Sequence, residues 1–459
     1  MIILAPDLLY RDGAFHSGLA LEYDEQDGSI TRIAARAEFT DGDVVALPGR
    51  ALMPGLVNAH SHAFQRLIRG RTQWRPGDDS VSDFWTWREA MYHAALTLSP
   101  DAIYAVSRFC FLEMLRAGIT TVGEFHYLHN DEAGRPYADP AELARRVIDA
   151  ACDVGIRIRL LNTCYATGAI GAPLKPEQRR FGTPDLDAFV RMTEALRDDA
   201  RGNALVSVGV APHSVRAVPR EWIRELHAWA AAQDMPCHMH VSEQPAEVAA
   251  SIASYGMRPV EVLHEDGVLD ARFTAVHATH IDDGEVGMLA ESGATVCACP
   301  GTERDLGDGF LRAHDLLGAG GSIALGSDSQ TIIDHFEEAR LTEYSERLRR
   351  TERVILTRGA ERREVAPVLV DMMTRSGARA LQLECGELEK GRLADFIGID
   401  LAHLTLAGWT EGTLAAMVAL SAPADVVRDV WVGGRHVVAD RLHAKQDAAL
   451  QAFNTVARS

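Results

Sequence analysis

Short apolar runs alternate with amphipathic segments along most of the chain. Eight runs are typical of buried strands, at residues 51–57, 119–125, 156–163, 204–211, 236–241, 272–277, 294–298 and 322–327. Helical patterns follow most of them, near residues 140–154, 185–200, 219–234, 245–266, 283–292 and 309–319. A further helix should begin at Pro100, with Ser99 as its cap, and end at Gly118. Eight such units predict a parallel (β/α)₈ barrel of the TIM type. An open doubly wound sheet is the alternative, but no Gly-x-Gly-x-x-Gly follows an early strand.

The two ends of the chain have a different pattern. Residues 1–50 alternate short apolar pieces with Asp-Gly turns, and residues 386–459 return to short strands. We expect these two segments to form one small β-sandwich domain, with residues 51–385 as the barrel domain. The aromatic segment 83–88 is expected to lie in a long polar connection after the first barrel strand.

Polar side chains collect just after the apolar runs. The residues at these positions are His60, His62, Glu124, His126, Tyr127, His213, Arg216, His240, Glu243, His277 and Asp328. In a barrel enzyme the carboxyl ends of the strands carry the chemistry. His60 and His62 are two apart on a strand, so their imidazoles point to the same side and can bind one ion. Because neutral imidazole is a common ligand of zinc and its neighbours, this clustering predicts a metal centre.

Composition restricts the class of protein. The chain of 459 residues has a formal net charge of −19, which argues against nucleic acid or an anionic membrane as partner. Hydrophobic residues at 47% and charged residues at 24% are typical of a soluble globular protein. The N-terminus has no positive start before its apolar residues, and the seven cysteines are scattered mostly through apolar segments. We therefore expect a cytoplasmic protein with reduced thiols.

The order of these residues resembles that of the amidohydrolase superfamily. The resemblance covers nearly the whole chain and includes His-x-His after the first strand, His240 on the fifth, His277 on the sixth and Asp328 after the eighth. It implies a metal-dependent hydrolase, often a homodimer. Two-metal members use a carboxylated lysine after the fourth strand, whereas this chain has no lysine between Lys175 and Lys390. The resemblance therefore implies one divalent ion, zinc by preference, with these ligands: His60, His62, His240 and Asp328.

The same resemblance assigns catalytic roles. His238 shares a strand face with His240, but the second histidine of this strand is the ligand in the single-metal pattern. A divalent ion lowers the pKa of its bound water toward about 7, which supplies hydroxide at neutral pH. Asp328 is expected to accept the proton of the water and Glu243 to protonate a leaving nitrogen. His277 is expected to polarise the scissile carbon–nitrogen unit or to hold the water.

Five short segments are also similar to one branch of this family, whose members are deiminases. These segments are residues 60–66, 84–89, 124–127, 213–218 and 306–309. That branch hydrolyses N-formimino-L-glutamate to N-formyl-L-glutamate and ammonia in histidine degradation. A small substrate with two carboxylates needs anchors away from the metal, and arginine binds a carboxylate through two parallel hydrogen bonds. The substrate anchors that the resemblance implies are Gln65, Arg88, Tyr127, His213 and Arg216.

Three alternatives stay open at this point. Residues 299–305 depart from the form typical of that branch, so related formimino-amino acids and amidines stay possible as substrates. An aminated nucleobase such as guanine is a second alternative, although a flat neutral ring offers the arginines no carboxylate. A barrel that only binds a ligand or partner is a third, and the presence of all four ligands with Glu243 and His277 argues against it.

Overall fold

The computed structural model describes residues 1–40, 44–74, 83–357 and 363–458. Their strands, in chain order from β1 to β16, are Ile2–Arg11, Ala14–Ser17, Leu19–Asp24, Ser29–Ala35, Val44–Pro54, Leu56–Ser61, Ile119–His126, Arg157–Cys164, Val206–Pro212, Cys237–Val241, Phe273–His277, Thr295–Ala298, Ser322–Leu325, Phe396–Asp400, Val427–Val432 and Arg435–Val438. Their helices, from α1 to α15, are Phe84–Thr97, Pro100–Arg116, Glu142–Val154, Leu186–Ala200, Arg220–Ala232, Pro245–Tyr255, Pro259–Glu265, Asp283–Ser292, Pro300–Leu306, Ala313–Gly318, His335–Arg350, Ala366–Met373, Arg375–Ala380, Glu411–Ser421 and Gln446–Arg458. None of these helices is both long and apolar enough to cross a membrane.

Strands β6 to β13 form one parallel sheet whose spatial order follows the chain. Every residue of β6, β7 and β8 is buried, as expected for strands covered on both faces. The first and last strands meet at their C-terminal ends, where the backbone N of His62 donates to O of Asp328 and the N of Asp328 donates to O of His60, both at 3.0 Å. The predicted (β/α)₈ barrel is confirmed.

A glycine permits this closure. Gly326 faces the strand that carries His60, and a Cβ at position 326 would lie 2.8 Å from Cβ of His60. Any larger residue would push apart the two strand ends that bear His60 and Asp328. The closure of the barrel next to the candidate metal ligands therefore depends on a residue without a Cβ.

Both ends of the chain join in a second, mixed sheet. Its strand order is β16-β15-β14-β5-β1-β3-β4, with β2 paired to β1. Strand β5 connects the two ends, because it is parallel to β1 and antiparallel to β14, where Pro54 lies opposite Phe396. The prediction that both termini build one β unit is confirmed. The division of domains at residues 50 and 386 stays a prediction, and β5 carries the terminal sheet as far as Pro54.

Some predicted elements have different limits in the structure. The apolar run 51–57 was wrong as a single strand, because residues 51–54 end β5 and β6 begins at Leu56. The helix predicted over 245–266 is divided into α6 and α7, since Gly256 adopts a left-handed φ of +71° that ends α6. The expectation of a polar connection at 83–88 was also wrong. Asp83 caps helix α1 there by accepting hydrogen bonds from the backbone N of Trp85 and Thr86.

Candidate metal centre and active site

Three histidines and one aspartate converge at the C-terminal end of the barrel. Nε2 of His60 lies 3.2 Å from Nε2 of His240 and 3.4 Å from Oδ1 of Asp328. Nε2 of His62 also lies 3.4 Å from Oδ1 of Asp328. All four side chains are almost completely buried. The structure thus brings together the four residues predicted as metal ligands.

The spacing of these atoms fits a zinc ion. Nitrogen and oxygen ligands at about 2.0–2.1 Å from a tetrahedral zinc lie about 3.3–3.4 Å from one another. The distances from His60 to His240, at 3.2 Å, and from His60 and His62 to Asp328, at 3.4 Å, match the edges of such a tetrahedron. Two imidazole nitrogens with lone pairs would repel at 3.2 Å, and a cation between them removes that repulsion. The donor set therefore suits one divalent ion.

Hydrogen bonds behind the cluster orient two of these imidazoles. Nδ1 of His62 lies 2.9 Å from the carbonyl oxygen of Phe125, and Nδ1 of His240 lies 3.1 Å from that of His213. Each Nδ1–H therefore donates to a carbonyl and leaves the Nε2 lone pair toward the cluster. Burial lowers the pKa of His62 to about 3 and that of His240 well below its ordinary value, so both rings are neutral. Burial alone would raise the pKa of Asp328, but His60 lowers it overall and keeps the carboxylate ionised.

His238 occupies a different environment from His240, although the two lie on the same strand. Its Nε2 lies 2.8 Å from the carbonyl oxygen of Ala380 in α13. It therefore contacts the helical layer below the site, as the single-metal pattern requires.

His277 faces three acids in the site. Its Nδ1 lies 3.2 Å from Oε1 of Glu303, and its Nε2 lies 3.7 Å from Oε1 of Glu243 and 3.9 Å from Oδ2 of Asp328. Burial opposes a charge on His277, but Glu243, Glu303 and Asp328 raise the pKa of this imidazole well above its ordinary value. Burial also raises the pKa of Glu243, which favours its protonated form. The arrangement can therefore hold and transfer protons next to the candidate metal ligands.

Five residues at these strand ends have a strained backbone. Ser242, His277, Ala278, Asp328 and Gln330 all have left-handed φ angles, between +45° and +71°. Residues with a Cβ adopt this conformation at a cost of about 1–3 kcal/mol each, and such residues cluster at functional sites. The strain supports a functional reading of the same turns that carry the predicted catalytic groups.

One cavity opens onto this cluster and contains all the predicted substrate anchors. The predicted residues that line it are His62, Gln65, Arg88, Tyr127, His213, Arg216, His240, Glu243, His277 and Asp328. Helix α1 covers the cavity with Phe84, Trp87, Arg88, Met91 and Tyr92. The aromatic segment that the sequence placed in a loop is thus the start of the helix that encloses the site.

The neutral anchors are fixed by short contacts. Gln65 lies in the 3₁₀ helix Ala63–Ile68, and its Nε2 donates to the hydroxyl of Tyr127 at 2.8 Å. The ring of His213 packs on that of Tyr165 with centroids 4.6 Å apart, and its Nδ1 lies 3.0 Å from Oγ of Ser214. These side chains are held in place before a ligand enters.

The two arginines of the cavity have different partners. The guanidinium of Arg88 lies over the rings of Trp85 and Tyr92, at 4.6 and 5.3 Å from their centroids. Arg216 forms ion pairs, with its Nε 2.9 Å from Oε2 of Glu247 and its Nη2 3.5 Å from Oε2 of Glu243. Arg88 is therefore positioned by aromatic faces and Arg216 by carboxylates.

Two polar residues at strand ends do not reach the cavity. Glu124 accepts hydrogen bonds from Oγ of Ser61 at 2.6 Å and from the backbone N of Ala63 at 2.7 Å, and burial raises its pKa to about 8. The ring of His126 instead packs near His129, with centroids 5.7 Å apart. Glu124 thus stabilises the turn that bears His60 and His62 from behind.

Sequence reasoning missed two buried acids, Glu303 and Glu247. Glu303 lies in the segment noted above for its departure from the expected form, and Glu247 follows Glu243 by four residues. Their partners His277 and Arg216 come from other strand ends, so no local pattern identifies these contacts. The departure at 299–305 was the only signal for Glu303.

Comparison with known proteins agrees with this geometry. Residues 51–437 match the model of the amidohydrolase family. Formimidoylglutamate deiminase of Pseudomonas aeruginosa is 41% identical over 433 residues, which cover 93% of this chain and 92% of that protein. A 5-methylthioadenosine/S-adenosylhomocysteine deaminase of Halobacterium salinarum is 30% identical over 413 residues, covering 88% of this chain and 84% of that protein.

Solved structures show the same similarity. An amidohydrolase from Brucella melitensis superimposes with a TM-score of 0.89 at 34% identity, covering 100% of this chain and 99% of that one. An adenosine deaminase from Xanthomonas campestris, solved with bound zinc, gives a TM-score of 0.83 at 25% identity with coverage of 100% and 99%. The matches extend over both the barrel and the terminal sheet. This chain belongs to the amidohydrolase family.

Proposed function

We propose that this protein hydrolyses N-formimino-L-glutamate to N-formyl-L-glutamate and ammonia. The observation that carries the proposal is a single cavity that joins the histidine and aspartate cluster to two arginines, Arg88 and Arg216. A cluster of that kind suits hydrolysis of a carbon–nitrogen bond, and the arginines suit a ligand with carboxylates. The name of the 41% identical relative supports the same substrate.

The proposed metal ligands are His60, His62, His240 and Asp328. Zinc is the proposed ion because the donor set and its spacing suit zinc, and because a structural relative was solved with zinc. When bound, such an ion supplies an activated water at neutral pH. Neutral imidazoles and an ionised Asp328 are the protonation states that ligation needs. Burial lowers the pKa of His62 and His240 and so favours their neutral forms, and the neighbouring His60 keeps Asp328 ionised despite its burial.

The proposed proton transfers use three residues. The oxygen of water adds to the formimino carbon, and the bond between that carbon and its terminal nitrogen breaks. Asp328 accepts a proton from the water at Oδ2, the oxygen that faces His277 at 3.9 Å. Glu243, whose pKa burial raises, donates a proton to the imino nitrogen as the water oxygen adds. The proton held on Asp328 then passes to the same nitrogen, which leaves as ammonia, while the hydroxyl proton of the adduct returns to Glu243 and the C=O bond forms. His277, kept cationic by Glu303 and Asp328 while Glu243 holds its proton, stabilises negative charge that develops beside it.

The proposed anchors fix the rest of the substrate. Arg88 and Arg216 bind the two carboxylates, and Gln65, Tyr127 and His213 supply hydrogen bonds between them and the cluster. Aromatic residues of α1 exclude water from the cavity. The energy of carboxylate binding would thus serve to place the formimino carbon next to Glu243 and Asp328.

Deaminases of adenosine compounds also occur among the relatives. A purine substrate has no carboxylate to pair with Arg88 and Arg216, so the cavity favours the dicarboxylate. Related formimino-amino acids would use the same anchors and stay alternatives. A role in histidine degradation, a homodimer, a cytoplasmic location and the division into domains 1–50 with 386–459 and 51–385 also stay proposals.

Product analysis tests the reaction. Zinc-loaded protein incubated with N-formimino-L-glutamate in ¹⁸O-labelled water should yield ammonia and N-formyl-L-glutamate with one ¹⁸O in the formyl group. Formation of glutamate and formamide would mean that the other carbon–nitrogen bond breaks, and absence of turnover would overturn the proposal.

A further inference from the structure

Glu247 is a fully buried acid that lies behind the cavity and does not line it. It belongs to the first turn of α6. Its two carboxylate oxygens have different partners: Oε1 accepts a hydrogen bond from the backbone N of Ser242 at 3.0 Å, and Oε2 accepts one from Nε of Arg216 at 2.9 Å. One side chain therefore connects the turn before Glu243 to a proposed substrate anchor.

The bond to Glu247 determines which edge of Arg216 is available. A guanidinium can bind a carboxylate through its Nε and one Nη, or through both terminal Nη atoms. Because Nε of Arg216 is occupied by Glu247, the terminal edge is the one left for a ligand in the cavity. In the structure Nη2 lies 3.5 Å from Oε2 of Glu243, which shows that this edge is directed toward the catalytic side.

The bond to Ser242 supports a strained turn. Ser242 has a left-handed φ of +50°, and the next residue is Glu243. Its carbonyl oxygen accepts from the backbone N of His280 at 3.0 Å, and its own N is paired by Glu247. The turn that directs Glu243 into the cavity is thus fixed from both sides.

We propose that Glu247 is a positioning residue that sets the distance between the carboxylate anchor Arg216 and the proton donor Glu243. It thereby selects amidines that carry a carboxylate. This inference rests on the proposed function. Gln at position 247 has the same size but only one accepting oxygen, so it can serve Arg216 or Ser242 but not both.

The chain contains a matched control for this substitution. Glu285 is also fully buried in the first turn of a helix, α8, and its Oε2 accepts from Nε of Arg258 at 2.6 Å and from the backbone N of Asp282 at 3.0 Å. Neither Glu285 nor Arg258 lines the cavity. Glu285→Gln therefore removes an equivalent buried contact that involves neither Arg216 nor Glu243.

The test compares Glu247→Gln, Glu285→Gln and wild type on N-formimino-L-glutamate and on N-propylformamidine, an amidine without carboxylates. Removal of a charged hydrogen bond typically costs about 10- to 100-fold. In Glu247→Gln, kcat/KM for the dicarboxylate should fall at least about 10-fold more than kcat/KM for N-propylformamidine. Glu285→Gln should leave the ratio of the two unchanged. An equal loss on both compounds, or the same ratio in the two variants, would overturn the inference.

Calorimetric binding of N-formyl-L-glutamate to the zinc-loaded protein separates this inference from the proposed function. Glu247→Gln should weaken binding about 10-fold at unchanged zinc content. If wild type binds this ligand but does not turn over the substrate, the proposed function fails while the binding comparison still decides on Glu247. If wild type neither binds nor turns over, both fail. Should Glu247→Gln not fold, Glu247→Asp serves instead, because a carboxylate on a side chain shorter by one methylene cannot reach both Arg216 and the backbone N of Ser242, and the same selective loss is expected.

Discussion

Oε1 of Glu303 lies 3.2 Å from Nδ1 of His277 and also accepts a hydrogen bond from the backbone N of Cys299 at 2.9 Å. Both residues are buried, and the pair directs Nε2 of His277 toward Glu243 and Asp328. His277 itself has a strained φ of +71°. The orientation and charge of this imidazole therefore depend on an acid from the neighbouring strand end.

Glu303→Gln should lower kcat by about 10²-fold with little change in KM, because an amide stabilises the cationic imidazole less well than a carboxylate. Steady-state kinetics on N-formimino-L-glutamate checks this. Glu337→Gln, which changes a partly exposed acid paired with Arg304, is the control and should keep normal kinetics. An unchanged kcat in Glu303→Gln would show that the contact with His277 is only structural.

Replacement of each histidine of β10 in turn should show by zinc content which of them binds the metal. His240→Asn should lose zinc, since it removes one of four donors, whereas His238→Asn should keep about one zinc per chain. Metal content of the purified folded variants, measured by inductively coupled plasma mass spectrometry, gives the answer. The reverse result would mean that His238, which contacts Ala380 in the structure, is the ligand.

Glu243→Gln should retain zinc but lose turnover by about 10²- to 10⁴-fold, because an amide cannot donate the proton that the leaving nitrogen needs. Single-turnover ammonia release together with metal analysis tests both halves of this prediction. Near-normal turnover would remove Glu243 from the role of proton donor.

Replacement of Arg88 by Met should mainly weaken substrate binding, by about 10- to 100-fold in KM, because one carboxylate loses its cationic partner. Arg216→Met should have the same kind of effect. Arg135→Met is the control, since Arg135 pairs with Asp131 and its side chain is 77% exposed. If KM for the dicarboxylate is unchanged in either cavity variant, that arginine is not an anchor.

Acid should destabilise the metal-free protein through buried histidines away from the cluster. Burial lowers the pKa of His129 to about 4, against about 6.5 in an unfolded chain. Below pH 6.5 the unfolded state binds a proton that the folded state does not, so stability falls as pH falls toward 4. The loss is about 1.4 kcal/mol per pH unit for this residue.

His129→Gln should therefore reduce the slope of the free energy of unfolding against pH by about 1.4 kcal/mol per unit between about pH 6 and pH 4. Urea denaturation of the metal-free proteins at several pH values measures it. The pKa of Glu124 is raised to about 8. Glu124 therefore stabilises the folded state below the pKa that it has in the unfolded chain, and this stabilisation is lost as pH rises toward 8. Because Glu124 is present in both proteins, its contribution to the slope is the same in both. Identical slopes would mean that His129 is not neutral in the folded state.

How much of the structure the sequence predicts depends on how far apart in the chain the interacting residues lie. Apolar runs that end in His60, His240 or Asp328 are local patterns, and a parallel barrel necessarily gathers such ends at one face, so the fold and the cluster could be anticipated. The family resemblance, together with the absence of lysine between Lys175 and Lys390, implied a single metal, and the number of ions stays a prediction.

Other features depend on contacts between distant segments. The sequence does not identify Glu247 as a functional residue, because its partner Arg216, at 2.9 Å, comes from another segment of the chain. The same is true of Glu303 and its partner His277. The sequence does not predict helix α1, because its aromatic residues cover the cavity and do not show the apolar periodicity of a helix that packs on a core. The family resemblance identified the candidate metal ligands. It did not identify Glu247 and Glu303, the acids that orient Arg216 and His277.

Ammonia release tests the proposed hydrolysis of N-formimino-L-glutamate most directly. The purified zinc-loaded protein is assayed in parallel with N-formimino-L-glutamate, N-formimino-L-aspartate and guanine. We expect rapid release from the glutamate compound, much slower release from its shorter homologue and none from guanine, because the arginines fix the carboxylates at one distance from Glu243. Faster release from guanine than from the glutamate compound would contradict this expectation.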